Sequence, residues 1–231
     1  MTRLGPLLAV LVTWASYARA QLVEPPRCPS GASLRCALRG YGHNEYTYTV
    51  DGSKLQIEYT DSGYFALKCP EDVTLDNSVL PRFESQLRVK LVLLSGCTPR
   101  ISYAAVLGAF NVLVLDELRL VRVGNLTRAH FAGLEKLLEL QLTEAKLAPG
   151  ALEALPALRR LHMFSVRLPR DELLHLPRSL ELLQLVRMNT SLPAAVLERL
   201  PALVNVTVRD AQSVTVEPAG ALQGLALEIP A

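Results

Sequence analysis

Between residues 115 and 211 the apolar positions recur in a fixed four-point pattern. Leu115, Leu118, Leu120 and Val123 return as Leu137, Leu140, Leu142 and Ala145, and again as Leu158, Leu161, Met163 and Val166. Two further copies follow, Leu180, Leu183, Leu185 and Met188, then Leu203, Val206, Val208 and Ala211. Counted on the second position, the steps from Leu118 to Leu140, Leu161, Leu183 and Val206 are 22, 21, 22 and 23 residues. Apolar residues spaced two apart point to one side of a strand, because strand side chains alternate between faces. The pattern therefore predicts five short strands, each with an apolar inner pair. A later leucine in each copy, Leu134, Leu155, Leu176 and Leu200, marks the arm that leads to the next strand.

A period of this length is that of leucine-rich repeats. One copy cannot bury its apolar side alone, so the copies must stack against each other. The expected fold is α/β, a leucine-rich-repeat solenoid of horseshoe form. A helical bundle is excluded by Pro149, Pro156, Pro169, Pro177, Pro193 and Pro201, which interrupt the windows a packed helix would need. Where such repeats usually carry Asn, this chain has Val123, Ala145, Val166, Met188 and Ala211, so the turn after each strand must be held by apolar packing.

Ahead of the repeats the pattern changes. Asp51-Gly52 is a two-residue turn that matches the twist of paired strands, and pairing outward from it sets Tyr48 against Leu55 and Tyr46 against Ile57. A slip of one residue would set these apolar residues against Gln56 and Lys54, so turn and pattern agree. A further strand is expected over 64–69 with Phe65 and Leu67 on one side, a first degenerate repeat strand over 87–94, and a helical return arm over 101–110. This β-rich segment would cap the first repeat, whose stacking surface would otherwise be exposed.

Residues 1–20 read as a signal peptide: Arg3, an apolar core over 4–14, and Ala18-Arg19-Ala20 before Gln21. The expected division is thus 1–20 signal peptide, 21–100 amino-terminal cap with the first degenerate repeat, and 101–231 repeats. The repeats run to Leu225, Leu227 and Ile229 with no polar closing unit, which reads as the front part of a longer chain or a short isoform. Removing the signal takes Arg3 and Arg19 from the 24 basic residues and leaves as many basic as acidic residues, of which there are 22. A neutral mature chain gives no footing for nucleic acid or for an anionic membrane surface. No later stretch is long and apolar enough for a transmembrane helix.

Cys28, Cys36, Cys69 and Cys97 are an even set in a secretory chain, which makes two disulfides the expectation. Of the three possible connectivities, Cys28 with Cys36 and Cys69 with Cys97 is favoured: the first closes a short loop and the second ties the cap to the first repeat strand. The spacing lacks the close pair of a zinc knuckle. Asn125, Asn189 and Asn205 begin N-x-S/T sequons and are the expected glycosylation sites.

Alternation along the repeat strands turns outward Glu117, Arg119 and Val121, then Glu139, Gln141 and Thr143, then Arg160, His162 and Phe164. Leu182, Gln184, Val186, Thr207 and Arg209 continue the face. A broad concave surface of mixed apolar and polar side chains is how repeat proteins bind large partners. No nucleophile elbow, H-E-x-x-H or phosphate-cradling glycine loop is present, and the histidines are scattered, so no enzyme, metal or cofactor is expected.

The stretch 124–140, GNLTRAHFAGLEKLLEL, resembles the early ectodomain of arthropod Toll receptors. So does the order before it: Cys36, Glu45-Tyr46, Phe65-Ala66-Leu67-Lys68-Cys69, Leu80-Pro81, Leu87-Arg88-Val89 and Cys97. The resemblance covers residues 28–165. It implies a cell-surface receptor of innate immunity and development whose ectodomain binds a dimeric cystine-knot cytokine of the Spätzle type, with pairing of receptor chains. It also implies signalling through a membrane span and a cytoplasmic TIR domain that lie outside these residues. Carried onto this sequence, the resemblance assigns ligand contact to the cap and to Glu117, Arg119, Val121, Glu139, Gln141, Thr143, Arg160, His162 and Phe164. A secreted decoy, a pattern-binding protein or an adhesion protein would share the repeats.

Overall fold

The structure is a computed structural model that describes residues 37–40, 44–50, 53–60, 63–70, 74–76, 80, 86–114, 116–169, 171–188, 192–209 and 226–228. The signal segment, Cys28, Cys36, the Asp51-Gly52 turn, Asn189 and Ala211 lie outside these residues.

Each predicted repeat strand is present: Glu117–Val121, Glu139–Thr143, Arg160–Phe164, Leu182–Val186 and Asn205–Arg209. They pair in parallel with equivalent positions side by side, Leu118 beside Leu140 beside Leu161 beside Leu183 beside Val206. This register follows from the period. Because each copy offers the same apolar pair, the only pairing that buries every pair aligns them. The inner residues Leu118, Leu120, Leu140, Leu142, Leu161, Met163, Leu183, Leu185 and Val206 are fully buried and lie in one continuous core.

The cap hairpin has the expected register, Tyr46 against Ile57 and Tyr48 against Leu55, between Asn44–Val50 and Ser53–Thr60. It does more than cover the first repeat. Tyr64–Lys68 pairs antiparallel with Ser53–Thr60 on one edge and parallel with Leu91–Ser95 on the other, so cap and repeats form one 11-stranded sheet. The sheet crosses residue 100 without a break in its ladder, since Leu91–Ser95 also pairs with Glu117–Val121.

One expected element is divided. The segment 87–94 is split at Val89 and Lys90, with Leu87–Arg88 pairing to Val112–Val114 while Leu91–Ser95 enters the main sheet. Lys90 lies at the break because its carbonyl accepts the N–H groups of both Asp116 and Glu117, which sets the start of the next strand. The expected return arm over 101–110 is the helix Tyr103–Ala109, capped by the Ser102 side chain, which accepts from the Ala105 N–H.

The arms of later repeats are shorter. They use Arg128–Phe131, the 3-10 turns Ala151–Ala154 and Glu172–His175, and Ala194–Glu198. Each arm ends in a tight turn into the next strand, with the N–H groups of Leu137, Leu158, Leu180 and Leu203 donating to the Leu134, Leu155, Pro177 and Leu200 carbonyls at 2.9 to 3.1 Å. Pro156 and Pro201 occupy the second position of the turns that begin at Leu155 and Leu200, where a fixed φ near −65° is favourable. The prolines that rule out long helices thus shape the strand entries.

The turn after each strand shows how the repeat works without Asn. Arg122, Glu144, Ser165 and Arg187 all adopt φ of 51 to 53°, and Gly96 adopts 72° at the equivalent place. Each donates its N–H to the last strand residue of the next repeat: Gly96 to Val121, Arg122 to Thr143, Glu144 to Phe164, Ser165 to Val186 and Arg187 to Arg209, at 2.9 to 3.0 Å. The apolar residues that replace Asn then turn inward, with Val123, Ala145, Val166 and Met188 all buried. Backbone bonds between repeats and apolar packing together hold the corner.

Cys97 takes this apolar place in the first repeat, and it is bonded to Cys69 as expected. The Cys69 N–H is also held by the Ser95 carbonyl at 2.8 Å. Gly96 is required here: a Cβ would stand 2.6 Å from the Cys69 carbonyl oxygen at a left-handed backbone.

Candidate protein-binding face

The residues expected to point outward do so. Glu117, Arg119, Val121, Glu139, Gln141, Thr143, His162 and Phe164 are half-buried and Arg160 is exposed, while their strand neighbours are sealed in the core. Parallel in-register pairing lines them up in three rows across the repeats. One row runs Glu117, Glu139, Arg160 and Leu182; the next Arg119, Gln141, His162 and Gln184; the third Val121, Thr143, Phe164 and Val186. The third row places the apolar Val121, Phe164 and Val186 around Thr143, on a face whose other side is the core.

Sequence reasoning left out the earlier part of the same face. Register extends the rows to Leu91, Leu93 and Ser95, and then to Tyr64, Ala66 and Lys68. The signal was there as the pair Val92 and Leu94, but Val92 precedes its partner Leu118 by 26 residues, outside the regular step. Leu91 and Leu93 are half-buried, so with Tyr64 they add apolar surface at the cap end.

The charges on this face largely neutralise each other. Lys68 bonds Glu58 at 2.6 Å, Arg119 bonds Glu117 at 2.5 Å, and Arg160 bonds Glu139 Oε2 at 2.5 Å. The Glu139 side chain is only 16% exposed, and its other oxygen lies 3.4 Å from His162 Nε2. His162 Nδ1 in turn lies 2.7 Å from Gln184 Oε1. Four side chains from three adjacent strands are therefore linked in one chain of contacts. Burial, then the charge of Glu58, raises the Tyr64 phenol above its ordinary value, while Lys68 and Arg119 oppose the shift.

Among the described residues, no group of three or more His, Cys, Asp or Glu side chains is placed to hold a metal ion, and no helix is long and apolar enough to cross a membrane. Of the sequon asparagines, Asn125 is exposed in the short strand Asn125–Leu126 beyond the corner. Asn205 is half-buried at the start of its strand, where its side-chain oxygen accepts from Thr207 Oγ1 at 3.2 Å.

No known family profile matches the chain, and no curated protein matches it. The fold is similar to chains in two solved structures of the Drosophila Toll–Spätzle complex. One is 15% identical, with a TM-score of 0.43, over 78% of this chain and 35% of that one. The other, from the glycosylated form, is 16% identical, with a TM-score of 0.48, over 86% of this chain and 34% of that one. This chain spans about a third of the length of those chains.

Proposed function

We propose that this chain is the ligand-binding part of an extracellular Toll-like receptor: a leucine-rich-repeat solenoid whose cap and concave face capture a protein ligand of the Spätzle type. Signalling then belongs to a membrane span and TIR domain elsewhere in the receptor, and the role is binding rather than catalysis. The observation that supports this reading best is the outward face itself. It carries the apolar side chains Val121, Phe164 and Val186 in one row with Thr143, bordered by ion pairs that are satisfied within the chain. Such a surface gains from covering by a large partner and offers little to a small charged one. The Cys69–Cys97 disulfide fits an oxidising compartment.

The test is capture of a Spätzle-type cytokine dimer by the secreted chain, measured by surface plasmon resonance. Phe164 and Arg160 stand on the central strand of the five regular copies, and aromatic and Arg anchors near a patch centre are where binding energy concentrates. Phe164→Ala or Arg160→Ala should weaken capture by about 1–3 kcal/mol while secretion is retained. Unchanged binding by both variants would move the ligand site to the cap, to Leu91 and Leu93, or off this face. Binding of other glycoproteins with equal strength would favour the adhesion reading.

A further inference from the structure

The corner that follows each strand carries a second surface, separate from the outward face. Beyond the corner the chain forms a short parallel ladder in which Asn125 pairs with Lys146, and Lys146 pairs with Arg167. Leu126 and Leu147 point into the core, while Asn125, Lys146 and Arg167 are exposed in one row. Two adjoining grooves run along this edge and share Val123, Gly124 and Glu144. One reaches back to Arg122 and Thr98, and the other forward to Lys146, Ser165 and Arg167.

The charge on this edge differs from that of the outward face. There, Lys68, Arg119 and Arg160 each hold a carboxylate. Arg122, Lys146 and Arg167 are exposed and form no ion pair among the described residues. Lys146 and Arg167 are moreover set side by side by backbone pairing, at a rung spacing of about 4.8 Å. Like charges placed directly opposite each other are unfavourable. An anion bridging them removes that cost and gains charge-assisted hydrogen bonds from both. The anion must avoid Glu144, which also lines the groove, so the edge suits fixed anionic groups presented at intervals along the repeat direction.

We propose that the Arg122, Lys146 and Arg167 edge is a docking site for a sulfated polysaccharide, which would hold the protein at a matrix or cell surface while the outward face stays free for its protein ligand. The polymer runs across the repeats, with a sulfate group over the Lys146 and Arg167 pair and the chain continuing in the groove toward Arg122. Asn125 occupies the place in the row next to Lys146, in the same repeat as Arg122, so a glycan there would border the polymer where it continues toward Arg122.

Heparin is the probe. The secreted chain is passed over immobilised heparin, over uncharged dextran and over a sulfopropyl surface of matched charge density, both as produced and with its N-glycans trimmed. Saturable binding to heparin is expected, stronger than to the sulfopropyl surface and weakened by salt. The double substitution Lys146→Ser with Arg167→Ser should weaken it about tenfold. Arg178→Ser with Arg199→Ser removes the same charge from exposed positions elsewhere and should change it less than about twofold. Glu144→Gln should strengthen binding. Thermal unfolding of each variant confirms that the fold is intact, as expected for exposed side chains. Failure of the native and trimmed chains to bind heparin, equal losses in the two double variants, or equal binding to the sulfopropyl surface would each overturn the proposal. Capture of the protein ligand is measured separately and bears only on the outward face.

Discussion

Glu172 accepts the backbone N–H of Gly150 at 2.7 Å, 22 residues earlier and one repeat away. Its second oxygen accepts the Leu152 N–H at 3.3 Å. Glu172 is 1% exposed and is the one buried charged side chain among the described residues. The N–H groups it satisfies open the turn Ala151–Ala154, where the chain leaves Gly150 with φ of 70°. One carboxylate thus ties the return arms of neighbouring repeats together.

Replacing Glu172 should therefore cost more than a surface carboxylate would. Glu172→Ala leaves the buried Leu152 N–H unpaired, which costs about 1–3 kcal/mol, and adds a smaller loss at the half-buried Gly150 N–H, which water can reach. Glu172→Gln keeps an acceptor for one donor and should cost less. Urea unfolding of both variants, with an unchanged slope, checks the order.

The first corner and the later ones should respond to opposite substitutions. Gly96→Ala drives a Cβ into the Cys69 carbonyl at a left-handed backbone and should destabilise by about 1–3 kcal/mol. Ser165 holds the same backbone with φ of 53° and an ordinary side chain. Ser165→Gly relieves a left-handed penalty of about 1–2 kcal/mol, part of which the entropy of glycine takes back. It should be neutral or mildly stabilising by thermal unfolding.

Loss of the disulfide between Cys69 and Cys97 should be severe. It links the strand Tyr64–Lys68 to the first corner across 28 residues. Cys69→Ser should cost about 2–5 kcal/mol and reduce secretion sharply. Peptide mapping of the secreted chain should recover the 69–97 link, and the yield of secreted variant measures the cost.

Tyr103 gives the chain a weakness at high pH. Its ring is fully buried against His130 and Phe131, and its hydroxyl has no hydrogen-bond partner among the described residues. Burial raises the phenol far above its ordinary value of 10.0. Below pH about 10 both folded and unfolded states keep the proton. Above it the unfolded chain loses the proton and the folded one does not, so stability falls as pH rises. Tyr103→Phe should remove that part of the alkaline loss and, near neutrality, leave stability unchanged or improved, since it deletes an unpaired buried hydroxyl. Denaturant midpoints at pH 7 and pH 11 test both statements.

The core and the outward face should separate within a single strand. Leu161 is fully buried, while its neighbours Arg160 and His162 point outward. Leu161→Ala should lower stability by roughly 2–5 kcal/mol and reduce secretion. Phe164→Ala, on the half-exposed side, should leave the unfolding midpoint near that of the native chain.

The repeat strands, their inner leucines and the outward residues from Glu117 to Phe164 were legible in the sequence because period and alternation are local properties that a short strand imposes on its own residues. The hairpin register was legible for the same reason, since turn type and apolar pairing agree over a dozen residues. Other features needed the tertiary structure. The split at Lys90 depends on a carbonyl that serves the next strand, and the continuity of cap and repeats depends on Tyr64–Lys68 having two different neighbours. Leu91 and Leu93 lie within the expected first strand, but their place on the outward face is set by its pairing with Glu117–Val121. Glu172, Gly96 and the Lys146 and Arg167 pair owe their roles to residues one repeat away, and sequence spacing alone does not say which side chains a stack brings into contact.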